Sequence, residues 1–127
     1  MRLTRKDDVK EPLVNPTGER IYSMIGAPED QGASKGHSFA YVVIPPGKSS
    51  LHHYHPVAEE TYYILAGKAK MIVDGEEFSL KPGDALLIQP PEKHQIFTVG
   101  EDDLEFIVVC APPWEPTNTV YLDKNSD

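Results

Sequence analysis

From Ile21 onward, the sequence alternates short apolar or β-branched runs with turn-forming residues. The runs are IYSMI, FAYVVI, ETYYILA, KMIV, ALLI, HQIFTV and LEFIVV, and each has the length of a β-strand. None of them shows a sustained helical period of 3.6 residues. Twelve prolines and nine glycines cluster between the runs. The pattern predicts an all-β fold of antiparallel strands, in the form of a sandwich or barrel.

The pair Asp74-Gly75, between MIV and EEFSL, is the clearest hairpin signal in the chain. A type I′ turn needs positive φ at both central residues, and Asp-Gly is one of the pairs that meet this requirement. We therefore expect the strands on either side of this pair to form a hairpin.

The chain length of 127 residues fits one domain. Residues 1–20 are polar and interrupted by Pro12, Pro16 and Gly18, so we predict an N-terminal arm over 1–20 and a single barrel domain over 21–127. The tail after Cys110 contains three further prolines, and we expect them to prevent a regular strand there.

The charged residues comprise 12 Lys and Arg against 20 Asp and Glu, a formal net charge of -8. Such a field repels nucleic acid and anionic membrane surfaces, so we expect neither as a partner. The chain lacks a signal-peptide-like apolar segment, and no run approaches the ~20 residues of a membrane span. Its single cysteine, Cys110, suits a reducing compartment and is expected to be an inert buried thiol. These features predict a soluble, cytoplasmic protein.

Four residues form a candidate metal site. Alternate side chains of a strand share a face, so His53 and His55 point the same way while His52 points to the opposite face. Glu60 stands at the start of the next strand, and His94 follows a proline corner. Imidazole and carboxylate suit divalent Mn, Fe, Co, Ni or Zn, and four such ligands on an octahedral ion leave two positions open. We therefore predict one divalent transition metal per chain, whose identity the sequence does not distinguish.

These residues resemble the first sequence motif of the cupin superfamily, which runs Gly, five residues, His-x-His, three or four residues, Glu, six residues, Gly. Its positions correspond to Gly47, His53, His55, Glu60 and Gly67. The spacing to Gly67 selects Glu60 over Glu59, which alternates outward.

The segment from Gly83 to His94 resembles the second cupin motif, with two departures. Pro-Pro-Glu-Lys-His stands where a glycine often follows the proline, and Thr98 stands at the place of a frequent asparagine. The resemblance covers roughly residues 36–112 and implies a cupin-type antiparallel β-barrel (jelly-roll sandwich) of the small single-domain microbial type.

Alternation places Tyr62 and Ile64 on the inward face with Glu60, so we predict Tyr62, Ile64 and Ile96 as contacts of a small-molecule ligand. For Tyr62, a core position is an equal alternative. For Ile96, core packing is the first assumption, as it is for Phe39, Tyr41 and Phe106. Trp114 is predicted either to cover a barrel mouth or to lie at a subunit edge.

The resemblance implies a metal-dependent enzyme acting on a small oxygen-bearing ligand, with oxygenase, decarboxylase, isomerase and lyase reactions as candidates. The alternative is a non-catalytic binding or sensing protein, so whether the chain is an enzyme stays open, and no residue is assigned as a general base. No segment is suited to a helix-turn-helix. An uncovered sheet edge and the arm predict a homodimer.

Overall fold

The structure is a computed structural model that describes residues 1–122. Over residues 1–122, eleven strands form two sheets in which neighbouring strands are antiparallel. The six-stranded sheet has the order β1-β2-β3-β10-β5-β8, and the five-stranded sheet has the order β11-β4-β9-β6-β7. The strands are β1 Leu13–Val14, β2 Arg20–Ile25, β3 Ser38–Ile44, β4 His53–Tyr54, β5 Glu59–Ala66, β6 Lys68–Val73, β7 Glu76–Leu80, β8 Ala85–Ile88, β9 His94–Val99, β10 Leu104–Ala111 and β11 Val120–Tyr121.

The predicted all-β architecture is confirmed. The seven apolar runs form strands β2, β3, β5, β6, β8, β9 and β10. Over residues 1–122 the helical segments are three single 3-10 turns, Lys6–Asp8, Glu29–Gln31 and Pro116–Asn118. None of the helices described in this part of the chain is long and apolar enough to cross a membrane.

The core lies between the two sheets because alternate side chains of each strand point inward. Strand β5 shows this regularly: Glu60, Tyr62 and Ile64 are buried, and the residues between them are exposed. Facing them from the five-stranded sheet are Met71 and Ile96, both fully buried. This packing of two inner faces is the source of the hydrophobic stabilisation of the barrel.

Two turns depend on residues that accept positive φ. Asp74 and Gly75 have φ values of 47° and 87°, which confirms the predicted type I′ hairpin between β6 and β7. Gly67, between β5 and β6, has φ 80°, and a Cβ there would lie 2.4 Å from the carbonyl oxygen of Asp103. A side chain at Gly67 would therefore collide with the backbone that precedes β10.

Both terminal segments contribute to the sheets. In the predicted arm, Leu13–Val14 pairs with β2, and Glu19 is buried. The expectation that the tail forms no strand is wrong, since Val120–Tyr121 pairs with β4. Its prolines all precede this strand, so they do not interrupt its hydrogen bonds. Residues 123–127 of the predicted barrel domain lie outside the described part of the chain.

Candidate metal centre

Four side chains, contributed from the two sheets, converge on one another. His53 in β4, His55 directly after it and His94 at the start of β9 come from the five-stranded sheet, and Glu60 in β5 comes from the six-stranded sheet. His53 and His94 are cross-strand partners. One potential ligand atom from each of the four residues lies within 4.8 Å of the others. The structure thus brings together the four residues predicted from the sequence.

The three imidazole rings converge on one atom, the oxygen Oε1 of Glu60. The Nε2 atom of His94 lies 2.9 Å from this oxygen, that of His55 lies 3.0 Å away and that of His53 lies 3.8 Å away. Glu60 is only 5% exposed, whereas its neighbour Glu59 is exposed to solvent. His52 is half-buried and is not one of the four converging side chains.

Backbone carbonyls fix the orientation of all three imidazole rings. The Nδ1 atom of His53 lies 2.8 Å from the oxygen of Leu51. The Nδ1 atoms of His55 and His94 lie 3.2 Å and 3.0 Å from the carbonyl oxygens of Asn118 and Glu92. A carbonyl only accepts hydrogen bonds, so each Nδ1 carries a proton. In the neutral rings the lone pair is therefore on Nε2, directed toward Glu60.

A positive charge is needed at the centre of this arrangement. With neutral rings, three Nε2 lone pairs and a carboxylate oxygen face one another in a buried space, which is unfavourable without a cation. The buried Nε2 of His55 makes no aligned hydrogen bond, despite its 3.0 Å contact with Glu60. Imidazoles that donate Nδ1–H to backbone carbonyls are typical metal ligands. The residues present therefore fit one divalent transition metal ion.

The same contacts shift the pKa values of the cluster. Burial raises the pKa of Glu60, but its contacts with His53, His55 and His94 outweigh burial and hold that pKa well below the ordinary value. Burial lowers the pKa of His55, but the Glu60 carboxylate and the Asn118 carbonyl outweigh it and raise the pKa. The pocket thus favours an ionised carboxylate beside a positive charge.

The turn before His94 lacks the glycine that the second cupin motif often has there. Hydrogen bonds from the backbone to side chains stabilise this turn instead. The Gln89 backbone N–H donates to Glu92 Oε1 at 2.7 Å, and the Lys93 backbone N–H donates to Asp74 Oδ1 at 3.0 Å. Thr98 also has a partner, since its hydroxyl donates to the Ile44 carbonyl at 2.8 Å. Both departures from the motif are accommodated by hydrogen bonds.

A cavity of about 90 Å³ adjoins the cluster, well above the ~10–15 Å³ that one water needs. Small inward side chains of the six-stranded sheet leave this space open: Ser23 in β2, Ser38 and Ala40 in β3, and Cys110 in β10. The full lining is Leu13, Asn15, Glu19, Ile21, Ser23, Ile25, Gln31, Ser38, Phe39, Ala40, Val42, Leu51, His53, Glu60, Tyr62, Phe106, Val108, Cys110, Trp114 and Tyr121.

Of the three predicted ligand contacts, Tyr62 lines this cavity. Ile64 and Ile96 are 1% and 0% exposed and belong to the core cluster, outside the lining formed by residues 1–122. Their role as ligand contacts stays a prediction. Trp114, which the sequence leaves between a barrel mouth and a subunit edge, lines the cavity.

Glu19 is a cavity residue that the sequence did not indicate. It is 9% exposed, and its Oε1 accepts a hydrogen bond of 2.8 Å from Asn15 Nδ2. Burial raises its pKa to about 7, against the opposing effect of the Asn15 hydrogen bond. Glu19 lies in the polar arm, which shows no strand pattern in the sequence. Its position two residues before Ile21 would have placed it on the inward face of an extended β2.

Two further cavity groups stay protonated at neutral pH. Burial raises the pKa of Tyr62 well above its ordinary value, and the charges of Glu60 and Glu19 add to this effect. Burial also raises the pKa of Cys110 to about 12, which agrees with the inert thiol expected from the sequence. Tyr62 is therefore a neutral phenol at the cavity wall, and Cys110 a neutral thiol.

The chain is similar in sequence to several known proteins. The chain is 32% identical over 120 residues to a protein of Methanocaldococcus jannaschii that is named as uncharacterized, covering 94% of both chains. It is 37% identical over 76 residues to an oxalate-binding protein of Thermotoga maritima, covering 60% of this chain and 63% of that protein.

A solved structure of Lactobacillus farciminis oxalate decarboxylase in a formate complex is similar over 91% of this chain, with 26% identity and a TM-score of 0.78. The similarity covers 34% of that enzyme, so the chain spans about a third of its length.

The family model of the cupin domain matches residues 40–110, more than half of the chain, and includes all four converging residues. The resemblance inferred from the two motifs is therefore confirmed, and the chain belongs to the cupin family.

Proposed function

We propose that this cupin is a metal-dependent enzyme that holds one divalent transition metal through His53, His55, Glu60 and His94 and acts on a small oxygen-bearing ligand. The observation that carries the proposal is the convergence of three Nε2 atoms on Glu60 Oε1, with each Nδ1 bonded to a backbone carbonyl. This arrangement supplies four ligands already turned toward one point.

The cavity next to the cluster supports a small-molecule ligand. When bound, a metal of this class polarises a coordinated oxygen atom as a Lewis acid, or activates dioxygen if it is iron. The Tyr62 phenol lines the cavity and can donate a hydrogen bond to a ligand oxygen. The apolar walls limit access of water, which strengthens polar contacts inside the cavity.

Polar cavity residues other than the four cluster residues favour an enzyme over a simple binding module. They include Asn15, Glu19, Ser23, Gln31 and Tyr62. Glu19 has a pKa of about 7, in the range in which a carboxyl group can both give and accept a proton. The alternative, a non-catalytic binding protein, needs only one anchoring group.

Turnover separates these two functions. We expect metal-loaded protein, offered a panel of small carboxylates and hydroxyketones, to convert at least one compound, as measured by oxygen uptake, carbon dioxide release and mass spectrometry. His94→Ala should abolish this conversion, because it removes one of the four side chains proposed to hold the metal. Tight binding of a panel member without any conversion would contradict the enzyme proposal and support the binding protein.

We also propose a homodimer in the cytoplasm. Tyr63 and Leu65 in β5 and Leu87 in β8 are 44%, 38% and 48% exposed, and these neighbouring strands present them on the outer face of one sheet. An exposed apolar face next to a sheet edge is a common site of self-association. A second copy of the chain can cover this face. The single buried cysteine suits a reducing compartment.

Light scattering at micromolar concentration is expected to give the mass of a dimer. Leu87→Lys should shift the protein toward the monomer, because it places a charge in the proposed interface. Phe78→Lys is the matched control, since Phe78 is 40% exposed on β7 of the other sheet. A monomeric parent protein, or an equal shift in both variants, would contradict this interface.

A further inference from the structure

The charge of the cavity limits the ligands that it can bind. Two carboxyl groups, Glu19 and Glu60, line it, and no Lys or Arg from residues 1–122 does. A divalent ion beside the Glu60 carboxylate leaves one net positive charge. A dicarboxylate dianion would bring two negative charges, and a buried charge without a partner is costly. The lining is therefore poorly suited to such a dianion.

The walls are suited to an apolar body. Nine of the side chains that line the cavity are aliphatic or aromatic hydrocarbons, among them Ile21, Phe39, Val42, Leu51 and Phe106. Across the inner face of the six-stranded sheet, Tyr62, Val108, Ala40 and Ser23 are successive cross-strand partners. Ala40 and Ser23 are the small members of this row, so the free space lies above them.

Glu19 provides a hydrogen-bond acceptor within these walls. Asn15 donates to its Oε1, and the Leu51 backbone N–H also bonds to the carboxyl group. A carboxylate offers about four lone-pair sites, so two donors leave acceptor capacity for a ligand hydroxyl. The hydrogen bond from Asn15 also holds the carboxyl group in place, which reduces the ordering cost of binding.

We propose that this cavity binds an uncharged organic molecule that has an apolar body and a hydroxyl group donating a hydrogen bond to Glu19, in preference to a dicarboxylate dianion. The inference rests on the proposed function, because the end of the ligand that faces His53 and Glu60 would bind the metal held by these residues. It sets this chain apart from a relative that is named for binding oxalate.

Calorimetric titration of the manganese-loaded protein at pH 7 tests the preference with three probes. Kojic acid is a hydroxypyranone with a hydroxymethyl group, and allomaltol is the same ring with a methyl group in its place. Both are largely uncharged in solution at pH 7 and bring one negative charge to a metal ion when the ring hydroxyl releases its proton to solvent, whereas oxalate is a dianion. We expect kojic acid to bind roughly tenfold or more tightly than either other probe, because only kojic acid can satisfy Glu19. Oxalate binding as tightly as kojic acid would overturn the proposal.

Two variants test whether Glu19 and the free space beside Ala40 determine the binding of kojic acid. In Glu19→Ala, the preference for kojic acid over allomaltol should disappear, because the acceptor is lost. In Ala40→Leu, which fills the free space above β3, kojic acid should bind roughly tenfold or more weakly while the manganese content stays unchanged. An unchanged kojic acid affinity in Ala40→Leu, or a retained preference in Glu19→Ala, would overturn the assignment.

Manganese content, measured on each sample, separates the two proposals. Protein that holds neither manganese nor another divalent transition metal contradicts the proposed metal function. Protein that holds manganese and binds oxalate best, or binds none of the three probes, leaves the metal function standing and overturns the inference about the ligand. The comparison of the three probes on the parent protein needs no variant. It therefore tests the ligand preference even if Glu19→Ala fails to fold.

Discussion

Removing the metal with a chelator at pH 7 is expected to lower the melting temperature by roughly 10 °C. An ion that binds only the folded chain stabilises it by about 4 kcal/mol when its concentration is 1,000 times its dissociation constant. For a domain of this size, each kcal/mol corresponds to several degrees. Without the ion, the Nε2 lone pairs of His53, His55 and His94 face the Glu60 carboxylate without compensation. Scanning calorimetry with and without chelator measures the difference.

The effect of the chelator should be much smaller at pH 5. In the metal-free protein the pKa of His55 is raised. Protonated His55 therefore stabilises the fold at pH values below its pKa in the unfolded chain. This contribution is lost as the pH rises through its pKa in the folded protein. The pKa of Glu60 is lowered, so its contribution is lost only at much lower pH, as the pH falls through the folded value. Around pH 5 a proton therefore takes the place of the metal. An equal drop at pH 5 and pH 7 would contradict a histidine-rich site.

Glu19→Gln is expected to stabilise the metal-free protein at pH 8 by up to about 3 kcal/mol. Burial raises the pKa of Glu19 from 4.5 to about 7, so the folded state binds this proton more tightly than the unfolded state does. The stability of the parent protein should fall as the pH rises from about 4.5 to about 7, because ionising the buried carboxyl group costs free energy. Glutamine stays neutral, and its carbonyl oxygen can still accept the hydrogen bond from Asn15.

Urea unfolding of chelator-treated protein at pH 4 and pH 8 measures this difference. At pH 4 the variant and the parent should have similar free energies of unfolding, because Glu19 is protonated in both states. Glu11→Gln is the matched control, since Glu11 is exposed in the same arm, and it should show no such dependence on pH. A Glu19→Gln variant that is less stable than the parent at pH 8 would contradict this prediction, because it would show that the folded protein stabilises the ionised carboxylate of Glu19.

The strand pattern could be predicted from the sequence because it follows from local periodicity. Three of the converging residues, His53, His55 and Glu60, lie close together in the chain, whereas His94 is distant and was placed with them through the resemblance to the second cupin motif. Alternation places Glu60 and Tyr62 on the inward face of β5, and the structure agrees. The His53-x-His55 spacing puts both histidines on one face of an extended segment, and Glu60 follows at the start of the next strand. The hairpin at Asp74-Gly75 was predicted because its φ requirements restrict the residue types.

The cavity could not be predicted in the same way. Alternation gives the face of the sheet on which a side chain lies, but not whether free space adjoins it. Ile64 points inward on the same strand as Tyr62, yet it is packed in the core. The space depends on small residues such as Ser23 and Ala40 in neighbouring strands, together with Glu19 from the arm. Such contacts between distant parts of the chain depend on the register of the strands, which local periodicity does not supply.

The most direct test of the metal site is the metal content of two neighbouring variants, Glu60→Gln and Glu59→Gln, compared with the parent by plasma mass spectrometry. Both variants undergo the same chemical change, but Glu60 lies in the buried cluster and Glu59 is exposed. We predict about one divalent transition metal per chain in the parent and in Glu59→Gln, and much less in Glu60→Gln, because the amide removes a charged ligand. Equal metal content in the two variants would contradict the assignment of Glu60 and the metal site built around it.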